Sequence, residues 1–178
     1  MPAFIRHARL EDADECGRIC YEAFKRIADA HNFPPDFPNA EVAAGALRML
    51  LGNPGFYAVA AERDGSLVGS NFLDERGVIC GVGPVTVDPA VQNDGVGRLL
   101  MQAVMDRAGE RHAAGIRLVQ AGYHCRSLSL YSKLGFEVRE HLACMQGKPL
   151  DERIEGYHVR AAAERDIAAC NSVCLQVH

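Results

Sequence analysis

Apolar and polar residues alternate through Phe4-Ile-Arg-His-Ala-Arg-Leu10, the two-residue period of a strand with one buried face. At Glu11 the period lengthens. Ala13, Cys16, Ile19, Cys20, Ala23 and Phe24 recur at three- and four-residue steps, predicting a helix whose start Glu11 or Asp12 favours through the dipole. The three prolines in His31-Asn-Phe-Pro-Pro-Asp-Phe-Pro-Asn39 remove backbone donors and fix φ, so this stretch is loop. Asn39 is a natural cap for a second helix carrying Val42, Ala43, Ala46, Leu47, Leu50 and Leu51, which Asn53-Pro-Gly55 ends.

Phe56–Glu62 and Ser66–Leu73 read as strands joined by an Asp64-Gly65 hairpin turn. A further strand runs from about Val78 to Val87. A helix over Gln92–Arg111 opens with Gly95 and Gly97 and keeps Val96, Leu99, Leu100, Ala103, Val104 and Ala108 on its apolar side. Ile116–Ala121 is another strand, Leu128–Leu134 a short helix closed by Gly135, and Phe136–Met145 a last strand. The order predicts an α/β (α+β) chain: a mixed, mostly antiparallel sheet of about six or seven strands with helices on both faces.

Hydrophobic residues are 48% and charged residues 24% of the 178, enough for one ordinary core. The balance of 19 basic against 23 acidic residues, with no basic block, argues against a groove that neutralises nucleic-acid phosphates. No apolar run reaches the ~18 residues of a membrane span. Met1-Pro-Ala-Phe-Ile-Arg6 lacks the layout of a secretion signal, and the seven cysteines contain no C-x-x-C, so the expectation is a cytoplasmic chain with reduced thiols. Cys16 and Cys20 share one helical stripe without further ligands nearby; buried small hydrophobes are expected there, and no metal.

The chemistry concentrates in Val85-Thr-Val-Asp-Pro-Ala-Val-Gln-Asn-Asp-Gly-Val-Gly-Arg98, where a strand ends and Gly95-Val-Gly97 feeds a long helix. Glycines permit close approach of a ligand to the backbone, and the unpaired N–H groups of a helix start favour a phosphate. A P-loop would need Lys-Ser/Thr after Gly97, and a dinucleotide fingerprint would need a third small residue where Leu100 stands.

Gln92-x-x-Gly95-x-Gly97 after the Val85-x-Val87-x-Pro89 strand resembles the acyl-CoA-binding motif of the GNAT N-acetyltransferase superfamily. Leu130-Tyr-Ser-Lys-Leu-Gly-Phe136 resembles that superfamily's second signature, in the same order and at a similar separation. The resemblance covers about residues 4–147. It implies the GNAT fold and acetyl-CoA as cosubstrate. Val85, Thr86 and Val87 would pair with the pantetheine arm, and the amides of Gln92, Asn93, Asp94, Gly95, Val96, Gly97 and Arg98 would cradle the pyrophosphate. Tyr131 matches the general acid that protonates the leaving thiolate. The acceptor would be a small-molecule amine or an exposed protein amine, with neither nucleic acid nor membrane as partner.

Two departures stand out. Seven residues before Tyr131, where many members carry a cofactor-contacting Asn, the chain has His124, which would make the cofactor contact by a similar hydrogen bond, or titrate. The strand Cys80–Val87 carries no carboxylate to take a proton from the amine, leaving Asp74, Glu75, His124 or a water chain as alternatives. Phe33, Phe37 and the prolines of the 31–39 loop would rim an acceptor pocket, with Asp36 facing a cationic amine, or simply form a rigid connector. A rival expectation is a catalytically silent acyl-CoA-binding domain.

Residues 5–24 and 159–178 align at an offset of 154, with Arg6/Arg160, Ala8/Ala162, Asp12/Asp166, Cys16/Cys170 and Cys20/Cys174 identical. The expected organisation is therefore an acetyltransferase domain over 1–150. Residues 151–178 would be a strand–helix tail resembling the start of a second, truncated copy, whose apolar face offers a route to a homodimer.

Overall fold

The computed structural model describes residues 2–145, 147–148 and 152–177, so Met1, His178 and the boundary expected between Leu150 and Asp151 lie outside the described residues. The chain divides into two compact units, residues 1–138 and 139–178.

In the first unit β1 (Phe4–His7) leads through a 3-10 turn into α1 (Ala13–Ala30), and α2 (Ala40–Leu51) follows the proline loop. Asn39 caps α2 as expected, its side chain accepting from the Val42 N–H at 2.9 Å. The hairpin β2 (Phe56–Arg63) and β3 (Ser66–Asp74) forms the centre of the sheet, with β1 outside β2. Next come β4 (Ile79–Val82), β5 (Thr86–Val87), α3 (Val96–Glu110), β6 (Gly115–Arg117) and α4 (Cys125–Lys133). All ladders are antiparallel except β4 with β6.

β2 and β3 are buried along their middles on both faces. On one side Cys16 and Cys20 of α1 and Leu47 of α2 pack with Ala58 and Phe72. The two helices approach so closely at Gly17 that a Cβ there would lie 2.3 Å from Ala44 Cα. On the other side Val96, Leu100 and Val104 of α3 cover Val59, Ala61 and Leu73, each such burial contributing about 1.5–3 kcal/mol. Asn71, fully buried in β3, pins this helix: its Nδ2 donates to the Leu100 carbonyl at 3.2 Å while its Oδ1 accepts from the Phe72 N–H at 2.8 Å.

Several boundaries differ from the sequence expectation, each for a physical reason. The Val78–Val87 strand is broken into β4 and β5 at Gly83-Pro84, where proline has no N–H for the ladder. β6 stops at Arg117 rather than Ala121, because its partner β4 ends opposite and nothing continues the ladder. The helix expected from Gln92 starts at Val96, after a left-handed Gly95. Phe136–Met145 is not a strand. Its alternation supplies an apolar face but no edge pairs with it, and Val138, Leu142 and Met145 stand exposed.

The second unit contains a 3-10 turn at Glu164–Asp166 and α5 (Ile167–Val177). It reproduces the Arg–Asp fork and the turn bond of the first unit's opening, without the further bond from Arg6 Nε to Glu62 at 2.8 Å. Arg6 grips Asp12 with both terminal nitrogens at 2.8 and 2.9 Å, and Asp12 Oδ2 accepts from the Arg9 N–H at 2.7 Å. Arg160 grips Asp166 at 2.7 and 2.7 Å, and Asp166 Oδ2 accepts from the Ala163 N–H at 2.8 Å. Both helices start directly after the turn. The strand expected before Ala163 does not form: β1 is held by β2, whereas residues 159–163 belong to no ladder.

Asn71→Ala should lower stability by about 1–3 kcal/mol in denaturant unfolding, because the Leu100 carbonyl and the Phe72 N–H lose a buried partner. Asp12→Ala should cost about 1–2 kcal/mol, because the Arg6 guanidinium and the Arg9 N–H lose their carboxylate acceptor. Asp166→Ala should accelerate amide exchange at residues 167–170 and leave the global unfolding midpoint in place.

Candidate active site

The site is built around a forced parting of two strands. From Leu73 to Ser70 is three residues on β3, but the facing stretch from Val82 to Thr86 is four. The extra residue is a bulge, which bends its strand and ends the β4–β6 pairing beyond Gly81 and Arg117. Past that point Thr86 and Val87 pair with β3 again while residues 118–121 join no ladder, so the β4–β6 pairing is left with a gap in its hydrogen bonding.

Backbone groups line this gap. Asp88 N donates to Val68 O at 2.9 Å, so by ladder alternation Thr86 faces β3 whereas Val85 and Val87 face away from it. Val87 O is already taken by Gln92 Nε2 at 3.0 Å. The groups left for an extended ligand are therefore the N–H and C=O of Val85 and the N–H of Val87. Thr86 is buried and holds the strand through Ser70 Oγ at 3.2 Å.

At the end of this edge the loop is fixed from several sides. Asp88 Oδ1 accepts from the Ala90 N–H at 2.8 Å and its other oxygen accepts from Arg18 of α1 at 2.9 Å. Arg126 of α4 donates to Gln92 Oε1 at 2.7 Å, and Arg63 donates to Asp94 at 2.9 Å. Asn93 and Gly95 have φ of 77° and 83°, a left-handed backbone that only glycine and asparagine adopt cheaply. Nothing lies within 4 Å of where a Cβ on Gly95 would be, so the loop is open to a bulky anion. The Arg98 amide is engaged by Gly95 O at 3.0 Å, whereas Val96 and Gly97 have no intrahelical acceptor. The donor set is narrower than the seven residues expected from sequence. It remains sufficient for a pyrophosphate.

α4 closes the site. A Cβ on Gly97 would lie 3.4 Å from Leu130 and 3.7 Å from Val87, so α4, α3 and β5 meet at this point. Tyr131, the next residue, is half-buried beside Phe136, with ring centroids 6.0 Å apart. Burial raises its pKa, and the Ser127 hydroxyl works in the opposite direction. His124 caps α4. Its Nδ1 accepts from the Ser127 N–H at 3.4 Å, and its Nε2 lies 3.1 Å from Ser127 Oγ.

A cavity of about 310 Å³ lies between the last turns of α1 and residues 123–126, lined by Arg26, His31, Gln92, Tyr123, His124 and Arg126 among others, with no carboxylate. Tyr123 stacks on both His31 and Phe33, at 5.0 and 4.5 Å, fastening the 31–39 loop to the start of α4. Asp36 is exposed and adds to the raised pKa of Tyr123, whose main cause is burial. Phe37 instead turns inward to stack on Phe24 at 6.5 Å.

Asp74 is bound by Arg76 at 2.6 Å and Glu75 by Arg107 at 2.7 Å. The Arg76 guanidinium holds the Asp74 carboxyl below its usual range. Asp74 also lies four residues along β3 from the Ser70–Thr86 pair, ~13 Å by strand rise. Burial pushes the Cys16 thiol up to about 11 and Cys20 to about 12, the behaviour of core residues. Among the described residues no group of three or more His, Cys, Asp or Glu is placed to hold a metal ion, and no helix is long and apolar enough to cross a membrane.

Sequence reasoning did not single out Arg18, Ser127, Arg126 or Tyr123. The His124-x-x-Ser127 spacing ahead of a helix is a cap pattern that could have revealed Ser127; the others come together only through the fold.

Solved structures share this architecture. The PaiA N-acetyltransferase of Thermoplasma acidophilum, in complex with coenzyme A, matches with a TM-score of 0.68 and 17% identity, over 79% of this chain and 93% of that one. A predicted acetyltransferase from Clostridium acetobutylicum with acetyl-CoA matches at 0.62 and 16%, over 81% and 96%. An aminoglycoside acetyltransferase from an uncultured soil metagenomic sample matches at 0.58 and 20%, over 84% and 100%. No curated protein matches. At these identities the likeness establishes the fold. The acetyltransferase (GNAT) family model, however, matches residues 20–136, which contain the parted strands, the glycine loop and α4 together, and the chain therefore belongs to the GNAT family of acetyltransferases.

Proposed function

We propose that the protein is an N-acetyltransferase that transfers acetyl from acetyl-CoA to a primary amine by direct attack within a ternary complex. The observation that carries this is the meeting of the open Val85–Val87 edge, the unpaired amides at the start of α3, and α4, whose Leu130, the residue before Tyr131, meets Gly97 beside Val87. The pantetheine arm adds as a strand along Val85 and Val87, and the pyrophosphate sits on the amides of Asn93 to Gly97. The amine nitrogen bonds to the thioester carbon as the carbon–sulfur bond breaks. The sulfur takes the Tyr131 hydroxyl proton, and the phenolate regains one from water as the amine releases its own. A raised phenol pKa keeps that proton available throughout the neutral range.

No side-chain base is assigned. Asp74 and Glu75 are tied to arginines away from the gap. Arg26 and Arg126 around the cavity disfavour an ammonium there, so the acceptor enters as the free amine. This also argues against Asp36 as the main contact of a cationic acceptor. Relatives in fold include an aminoglycoside acetyltransferase, which supports a small-molecule amine over a protein amine as acceptor. The matching Arg6–Asp12 and Arg160–Asp166 forks support reading the tail as resembling the opening of a second copy of the fold.

Calorimetric titration should register acetyl-CoA binding, and thiol release should depend on an added amine. Tyr131→Phe should bind acetyl-CoA as the parent chain does and lose about tenfold or more of kcat. Undiminished turnover in Tyr131→Phe would remove the general-acid role. Tight binding without release from any amine in a broad panel would favour a silent acyl-CoA-binding domain.

A further inference from the structure

The side chain at position 124 does more than stand where the family resemblance places a cofactor-contacting residue. Both of its ring nitrogens are turned into its own helix. Because Nδ1 accepts from the Ser127 N–H, the proton of the neutral ring resides on Nε2 and is donated to Ser127 Oγ, 3.1 Å away. With that lone pair occupied, the Ser127 hydroxyl hydrogen is directed elsewhere. Tyr131 follows one helical turn later on the same face. A hydroxyl pointed at the phenol oxygen stabilises the phenolate, the direction in which Ser127 acts on Tyr131.

We propose that His124 is a positioning residue for acetyl transfer: its neutral imidazole caps α4 and orients the Ser127 hydroxyl toward the Tyr131 oxygen, leaving the phenol's own proton aimed at the leaving thiolate. This rests on the acetyl-transfer reading. Protonation removes the Nδ1 lone pair, so the Ser127 N–H loses its acceptor, the cap opens and the phenol is no longer held.

The charged and titratable groups facing the ring all oppose protonation or are neutral. Arg126 comes from α4 itself and His31 from the end of α1; Arg26 of α1 and Tyr123 line the same cavity. Burial first, and then Arg126, hold the His124 pKa below its ordinary value. The sign follows. Above that lowered pKa the ring is neutral and the cap is made; acidification through it breaks the cap. Turnover at saturating amine should therefore show an acid limb below the usual histidine range of ~6.5.

The variants separate this role from the alternatives. His124→Leu, which has no acceptor, should lower kcat about tenfold or more with little change in the KM for acetyl-CoA. His124→Asn keeps an acceptor for the Ser127 N–H, so it should recover much of that loss while abolishing the acid limb. Ser127→Ala should lower kcat and retain the cap. A loss expressed in KM for acetyl-CoA instead would make His124 a cofactor contact and overturn the proposal. NMR of the full chain supplies a readout independent of turnover. The Ser127 amide and the Tyr131 ring resonances should titrate with the midpoint of the His124 ring, and should cease to do so in His124→Asn. If they do not move with His124, the proposal fails whether or not the chain turns over. If they do and no amine is acetylated, the coupling stands and the acetyl-transfer reading is what fails.

Discussion

One extra residue between Val82 and Thr86 is the constraint on which the rest depends. A regular strand there would keep its pairing with β6 to the end, and the edge of Val85 and Val87 would be covered by protein. The bulge spends that ladder on one side while keeping Thr86 and Val87 on β3 on the other. Backbone donors and acceptors that a buried sheet could not leave unpaired thereby become a binding edge. The arrangement needs the kept side to be firm. Ser70 and Thr86, both buried, bond to each other across it. Gly69 allows the two strands to approach where a Cβ would meet Thr86 O at 2.6 Å.

The same economy governs the loop beyond. Its amides are free because side chains have taken over the work of holding it: Asp88 to α1 through Arg18, Gln92 to β5 and to α4 through Arg126, Asp94 to β2 through Arg63. Exposed single ion pairs contribute little to stability. Here two such pairs and the Arg126–Gln92 hydrogen bond converge on seven consecutive residues, Asp88 to Asp94, from three different elements. Their effect is to restrict where the amides point more than to lower the free energy of the fold. A preformed anion cradle binds without having to order itself first.

Most helices and the central hairpin were legible because their signals are local: a Pro loop, the Asn39 cap, the Asp64-Gly65 turn, a stripe at helical spacing. The glycine loop ahead of α3 and the short helix α4 were legible through a resemblance carried by short motifs. What failed was what depends on a distant partner. Alternation in Phe136–Met145 looked like that in β1, yet it carries no information on whether an edge is free to receive it. The divided β4–β5 was legible in part, since Gly83-Pro84 is a ladder breaker, but the direction in which the strand then bends is set by β3 and α3.

The chain contains its own control for this distinction. Arg6–Asp12 and Arg160–Asp166 are the same fork, on the same turn, starting a helix at equivalent positions. Both forks form, so the fork and the helix start are encoded within about ten residues of chain. Only Phe4–His7 becomes a strand, because only there do Val59 to Glu62 of β2 supply the ladder. The burial diverges in the same way: Cys16 and Cys20 are fully covered, Cys170 and Cys174 exposed. Even the helix packing is context-bound, since Asn171 stands where Gly17 admits the close approach of α2. Two similar segments thus fix the capped turn twice and the strand once, and the difference between them measures what the sheet adds to what the segment already specifies.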